Sequence, residues 1–83
     1  MNWTLLVTGP ARKALEGLPS RERTRISRAL ALMERDPFSG NIKRLVPSGW
    51  RKRVGNYRIF YDLYLDERSI VVTGISRRTS TTY

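Results

Sequence analysis

One stretch near the middle of the chain, Trp50-Arg51-Lys52-Arg53-Val54-Gly55-Asn56-Tyr57-Arg58-Ile59-Phe60-Tyr61, constrains the fold more than any other. It reads as two β-strands joined by a Gly55-Asn56 turn, with glycine at the first central position as a type II′ hairpin prefers. A two-residue loop sets Val54 opposite Tyr57, Arg53 opposite Arg58, Lys52 opposite Ile59 and Arg51 opposite Phe60. Side chains alternate across a strand. Trp50, Val54, Tyr57, Ile59 and Tyr61 therefore share one face, and Arg51, Arg53 and Arg58 share the other. On this register Lys52 falls on the apolar face, as an edge lysine with a snorkelling stem. Two arginines directly opposite each other repel, at about 0.2–1 kcal/mol relative to a neutral pair. Folding alone gives no reason to place a third cation beside them. An anion that neutralises the cluster does.

The rest of the composition narrows the chemistry. Residues 1–83 make a single small domain with no room for a second core. The chain has no cysteine and no histidine. Disulfides, thiolate metal sites, imidazole ligands and Ser-His or Cys-His nucleophile pairs are thereby excluded. No cofactor or metal is expected. The N-terminal stretch is too short and lacks the charged lead-in of a signal peptide, and no apolar run approaches a membrane span, so a cytoplasmic protein is expected. Sixteen Lys and Arg against seven Asp and Glu give a net charge of +9. That excess points to a polyanionic partner. Its distribution says more than its total. No acid lies between Asp36 and Asp62, a span that holds Lys43, Arg44, Arg51, Lys52, Arg53 and Arg58. None follows Glu67, where Arg68, Arg77 and Arg78 lie. Before Asp36, basic residues are set among acidic ones and read mainly as solvated helix faces.

In chain order, residues 2–7 predict an apolar strand with Trp3, Leu5 and Val7 on one face. Gly9-Pro10 breaks it, and Ala11, Ala14, Leu15 and Leu18 fall at helical spacing before Gly17 and Pro19. Ser20 reads as the N-cap of a second helix. Ile26, Ala29, Leu30 and Met33 form its buried stripe, and Asp36-Pro37 stops it. Residues 41–46 read as a short edge strand, followed by the hairpin. The β-prone run Ser69–Ile75 is apolar enough for a central strand. The order β-α-α-β-β-β-β predicts an α+β fold in which an N-terminal strand and a helical hairpin pack on a small, twisted, mainly antiparallel sheet. Tyr57, Phe60, Tyr61 and Tyr64 are expected mainly in packing, and Asp62, Asp66 and Glu67 at turns and strand ends.

The hairpin and the terminal Arg77-Arg78-Thr79-Ser80-Thr81-Thr82-Tyr83 resemble the RelE/ParE toxins of type II toxin–antitoxin systems, and the element order fits over essentially the whole chain. RelE-like members cut messenger RNA in the ribosomal A site, whereas ParE-like members poison DNA gyrase. The resemblance implies a ribosome-dependent, metal-independent endoribonuclease, in which the ribose 2′-OH attacks the adjacent phosphate. Carried over by position, the catalytic set falls on Arg51, Arg53, Arg58, Arg77 and Tyr83. Lys43, Arg44, Lys52 and Arg78 are expected on the RNA or phosphate backbone. The implied partners are the ribosome, mRNA and an acidic, partly disordered cognate antitoxin encoded nearby, which can assemble with the toxin into a hetero-oligomer. The alternatives are a ParE-like gyrase inhibitor and a non-catalytic basic RNA-binding domain.

The chain departs from the best-known RelE pattern by placing arginines where that pattern has lysines ahead of the turn. A guanidinium stays protonated and is no ordinary general base. Some relatives use Glu or His as base, but no acid lies near this cluster in sequence. Lys43 or Lys52 would need a strongly depressed pKa to serve. The general base is therefore unassigned, and the charge-stabilising half of the site is the part the residues define.

Overall fold

The computed structural model describes residues 2–77. The elements run β1 (Thr4–Val7), α1 (Gly9–Glu16), α2 (Ser20–Arg35), β2 (Ile42–Arg44), β3 (Trp50–Val54), β4 (Tyr57–Tyr64) and β5 (Ser69–Arg77). The strands form one sheet in the order β1-β5-β4-β3-β2. All pairings are antiparallel except β1 with β5, which is parallel. The expected α+β architecture is the one observed. The parallel pair follows from the helical hairpin, which carries the chain over one face while the later strands meander back toward β1.

One helix start differs from the sequence reading, and the other gains a cap the sequence reading did not assign. Ser20 is the first residue of α2 and not its cap: Pro19 holds the cap position, and no side chain bonds the freed amides there. Arg23 instead turns its guanidinium back, Nη1 donating to the Leu18 carbonyl at 3.4 Å. At α1 the cap is Thr8, whose Oγ1 accepts from the Ala11 amide at 3.4 Å. The edge strand is also shorter than residues 41–46, because only Ile42–Arg44 pair with β3.

Both helices cover the same face of the sheet. Ala11 of α1 and Ile26, Ala29, Leu30 and Met33 of α2 pack against Tyr57, Ile59, Tyr61, Ile70, Val72 and Ile75. Burying aliphatic side chains of this size contributes about 1.5–3 kcal/mol each. A bulge keeps β5 in phase with this core. Phe60 pairs with Gly74 but Tyr61 pairs with Val72, so Thr73 is the extra residue. Strict alternation from Ile70 and Val72 would send Ile75 to the far face, and the bulge returns it to the helices. Thr73 Oγ1 donates to the Phe60 carbonyl at 3.3 Å and so fastens the irregularity.

The loop between α2 and β2 is tied down from three sides. Asp36 Oδ1 accepts from the Phe38 amide at 3.0 Å. The Phe38 ring meets Trp3 and Trp50 edge-on, at centroid distances of 6.2 and 5.7 Å. Tyr61 donates from its hydroxyl to the Pro37 carbonyl at 3.1 Å. Among the described residues no helix is long and apolar enough to cross a membrane.

Candidate anion-binding face of the sheet

The hairpin register is the one its sequence dictates. Val54 pairs with Tyr57, Arg53 with Arg58, Lys52 with Ile59 and Arg51 with Phe60. Gly55 takes φ 59°, the left-handed value that the first central position of this turn requires and that only glycine adopts without strain. Strand β4 presents Tyr57, Ile59 and Tyr61 to the helices, all buried. Its alternate residues, Arg58 and Phe60, must then stand on the face the helices leave open.

Reading across the strands, the open face carries two rows. The first runs Arg53, Arg58, Ser76, and the second runs Lys43, Arg51, Phe60, Gly74. The three arginines are half-buried, and Lys43 is exposed at the sheet edge. The Nε atoms of Arg51 and Arg58 are shielded from water with no hydrogen-bond partner among the described residues. An unmet buried donor costs on the order of 1–3 kcal/mol, more when it belongs to an ion. Directly opposed cations add their repulsion to that cost. An anion accepting from these forks relieves both. Guanidinium matches phosphate geometry, since two parallel N–H groups meet two oxygens. Phe60, set between Arg51 and Gly74, gives the cationic rows an aromatic floor on which a base could stack.

The structure sorts the expected site residues. Arg51, Arg53, Arg58 and Lys43 are brought together. Arg44 is in register with Trp50, on the other phase of the sheet, and lines a cleft of about 380 Å³ with Ser48, Asp62 and Tyr64. Arg77 pairs with Tyr57, so its side chain leaves β5 on the helix side; Ser76 is the β5 residue facing Arg58. A role for Arg77 thus rests on the resemblance and not on the strand register. Arg78 and Tyr83 lie outside the described residues.

Lys52 is a correction. It is not placed to bind RNA, being 7 % exposed and pointing into the protein. Its Nζ donates to the Ser39 carbonyl at 2.7 Å. Burial lowers its pKa below the ordinary lysine value, and the Asp36 carboxylate partly opposes that. Its ammonium lies so close to Gly40, which has φ 81°, that a Cβ there would meet Nζ at 2.6 Å. Lys52 is therefore a clamp on the loop between α2 and β2. The alternation that put Arg51 and Arg53 outward already put Lys52 inward.

Asp62 was read from the sequence as a turn or strand-end residue, and Ser76 was given no role. Counting by two from Arg58 through Phe60 reaches Asp62 on the open face, diagonal to Arg51, and the strand pairing brings Ser76 beside Arg58. Asp62 is the acid of β4, and it sits half-buried at the end of the face away from the turn. Among the described residues no three His, Cys, Asp or Glu side chains gather as a metal site.

No family model matches the sequence, and no curated protein matches it. Solved structures do match the fold. The RelBE2 toxin–antitoxin complex of Mycobacterium tuberculosis aligns with a TM-score of 0.82 at 23 % identity, covering 94 % of this chain and 100 % of the other. The isolated RelE toxin of Escherichia coli aligns at 0.80 and 18 %, covering 95 % and 87 %. The YoeB/ParE toxin of Agrobacterium tumefaciens aligns at 0.76 and 18 %, covering 92 % and 99 %. The fold is that of the RelE/ParE toxins.

Proposed function

We propose that this protein is the toxin of a type II toxin–antitoxin system, and that it acts in the cytoplasm as a ribosome-dependent endoribonuclease on mRNA. The observation that carries this reading is the open face itself. There Arg53 opposes Arg58, Arg51 stands beside them, and the Nε donors of Arg51 and Arg58 are buried without partners. The fold around that face is shared with RelE toxins, and one such match is solved as a toxin–antitoxin complex.

In the reaction, the 2′-oxygen forms a bond to phosphorus as its proton departs, and the bond from phosphorus to the 5′-oxygen breaks. The products are a 2′,3′-cyclic phosphate and a 5′-hydroxyl. Charge accumulates on the non-bridging oxygens in the pentacoordinate state. Arg51 and Arg58 supply fixed donors there, and Arg53 adds a third cation. Losing one preorganised donor of this kind costs on the order of 10²–10³ in rate. The base that takes the 2′ proton is unassigned. Arg77 and Tyr83 are carried over from the resemblance to complete the set, with Tyr83 stacking on a base or protonating the leaving oxygen. Lys43 extends the cationic rows along the RNA backbone.

Primer extension on a defined mRNA in a purified translation system tests the reading. Discrete cuts that need the ribosome and survive chelator are expected, and they should vanish with Arg58→Ala. Uncut mRNA with inhibited DNA supercoiling would replace this reading with gyrase inhibition. The missing base and the match to a YoeB/ParE toxin keep that outcome in view. The cognate antitoxin is expected to be an acidic, partly disordered protein that folds as it binds.

A further inference from the structure

Strand β4 outruns its neighbour. Its pairing with β3 stops at Trp50 and Tyr61, while it continues against β5 through Asp62, Leu63 and Tyr64. The chain between β2 and β3 closes on itself, the Leu45 amide donating to the Gly49 carbonyl at 2.9 Å. Between this loop and the end of β4 lies the cleft of about 380 Å³ that Arg44, Ser48, Trp50, Asp62 and Tyr64 help to line. That size falls within the roughly 300–1,000 Å³ of small-ligand pockets. Gly49, at φ 95°, brings the loop backbone against the acid: a Cβ there would come within 3.4 Å of Asp62 Oδ1. The cleft begins where the arginine face ends, since Asp62 belongs to both. Two residues of strand, roughly 7 Å, separate it from Phe60.

Asp62 is out of character on its face. It stands with Lys43, Arg51 and Arg58, yet among the described residues its side chain makes no hydrogen bond or ion pair. Arg44 is exposed and makes none either, so two opposite charges line one space without joining. A surface that only gripped phosphates would gain from losing this acid, because carboxylate and phosphate repel. An ionised carboxylate only accepts, and a guanidinium only donates. A ligand that satisfies both carries donors at one edge and acceptors at another. Among the RNA bases, guanine does this most fully. Its N1–H and N2–H groups lie side by side and meet both carboxylate oxygens, while O6 and N7 accept from a guanidinium fork. Adenine, cytosine and uracil each offer the carboxylate a single donor group. The Tyr64 ring, 49 % exposed, provides a surface on which a base can stack.

We propose that this cleft reads a guanine in the RNA strand whose backbone lies on the arginine face. The inference rests on the reading that RNA is the ligand of that face, and it adds a base to the phosphates. Asp62 accepts from N1 and N2, Arg44 donates to O6 and N7, and Tyr64 stacks. A base without the paired donors leaves the carboxylate unmet, which turns contact into discrimination.

The test measures binding of the full chain to fluorescein-labelled uridine hexamers of 2′-O-methyl ribose, which lack the attacking hydroxyl and stay intact. Guanine, adenine or cytosine replaces uracil at each position in turn. Guanine at one position should raise affinity about 10-fold over the all-uridine strand, the size of one bidentate base contact. Asp62→Asn should cut that preference below about 2-fold while tightening the all-uridine strand, because it removes a charge that repels phosphate. Arg44→Gln should lower the preference and the all-uridine affinity together. Neither side chain is buried, and backbone NMR of the unliganded variants reports whether each is folded. Guanosine 3′-monophosphate alone should shift residues 44, 48 and 62–64, with much weaker affinity than the hexamer. Equal affinity for every base, no binding of any hexamer, or a guanine preference that survives Asp62→Asn would overturn the proposal. So would a free nucleotide bound as tightly as the hexamer. Uncut mRNA beside an intact guanine preference would refute the nuclease reading alone, and cutting without the preference would refute the cleft alone.

Discussion

Replacing Arg58 with methionine should abolish most activity while making the domain more stable. Methionine keeps much of the arginine stem and its packing but removes the fork. On the activity side, the variant loses one preorganised donor to the phosphoryl oxygens, and single-turnover cleavage of ribosome-bound mRNA should fall 10²–10³-fold. On the stability side two penalties disappear. The opposition of Arg58 to Arg53 costs about 0.2–1 kcal/mol. The shielded Nε of Arg58, without a partner, costs on the order of 1–3 kcal/mol. Part of that gain is offset by weaker packing of the shorter side chain. A net increase of about 1 kcal/mol is the expected balance. With a urea m-value of about 1 kcal/mol/M for a chain this small, the midpoint should rise by about 1 M. Opposite signs in the two assays are the signature of a side chain kept for function at the expense of folding. Unchanged cleavage, or a midpoint that falls by more than 1 M, would show that Arg58 is a structural residue.

Three further outcomes follow from the geometry. Tyr61 is buried and bonded to Pro37, and burial pushes its hydroxyl up to about 12. Its contribution, on the order of 2–3 kcal/mol, is whole below pH 10 and is lost as pH rises to about 12. Tyr61→Phe should remove that loss in urea titrations at pH 9 to 12, over a window where the lowered pKa of Lys52 works in the opposite sense up to 10.5. A fall in stability as steep in the variant as in the parent would place the titration elsewhere. Lys43→Met should lower the salt dependence of RNA binding by about 0.7 in the log–log slope, the value for one lost contact to a single strand. Lys52→Met should leave that slope unchanged; equal effects would return Lys52 to the interface. Gly55→Ala should destabilise the domain by about 1–2 kcal/mol through its left-handed φ, with a further clash against Arg25. Adding Arg25→Ala should recover the clash but not the backbone cost, as read in a double-mutant cycle; full recovery would deny the strain.

The hairpin was legible because a two-residue turn leaves one register, and a register fixes both faces of both strands. That one inference placed the open arginine face, and taken literally it also placed Lys52 inside. Assigning Lys52 to RNA set charge above position; the alternation was the better guide. The helices were legible through their apolar stripes, but their first turns were not. Ser20 looks like a cap by residue type, yet Pro19 takes that position, while Thr8 caps α1 from just ahead of the Gly9-Pro10 break. Cap identity depends on where the helical dihedrals begin, and composition does not fix that to one residue. The bulge at Thr73 and the parallel placement of β1 beside β5 were hidden for a different reason. Both are relations between distant strands, and they become visible only when the pairing partner is known. Arg77 shows the consequence, since its face depends on how β5 lies against β4 and not on its own neighbours.

One strand states the design of the molecule. In β3, successive residues Arg51, Lys52 and Arg53 carry the same sign of charge, yet the middle one turns inward to hold a loop and the outer two stand on the open face. Cations that the chain itself could have neutralised would not select for a ligand. Here the register brings Asp62 of β4 to the open face against Lys43, Arg51, Arg53 and Arg58, and the chain keeps a net charge of +9. Four of the cations share the open sheet face. An anion that binds that face in the native state would add RT ln(1 + [L]/Kd) to a small domain's limited stability. A polyanion that docks there would then stabilise the very fold that recognises it.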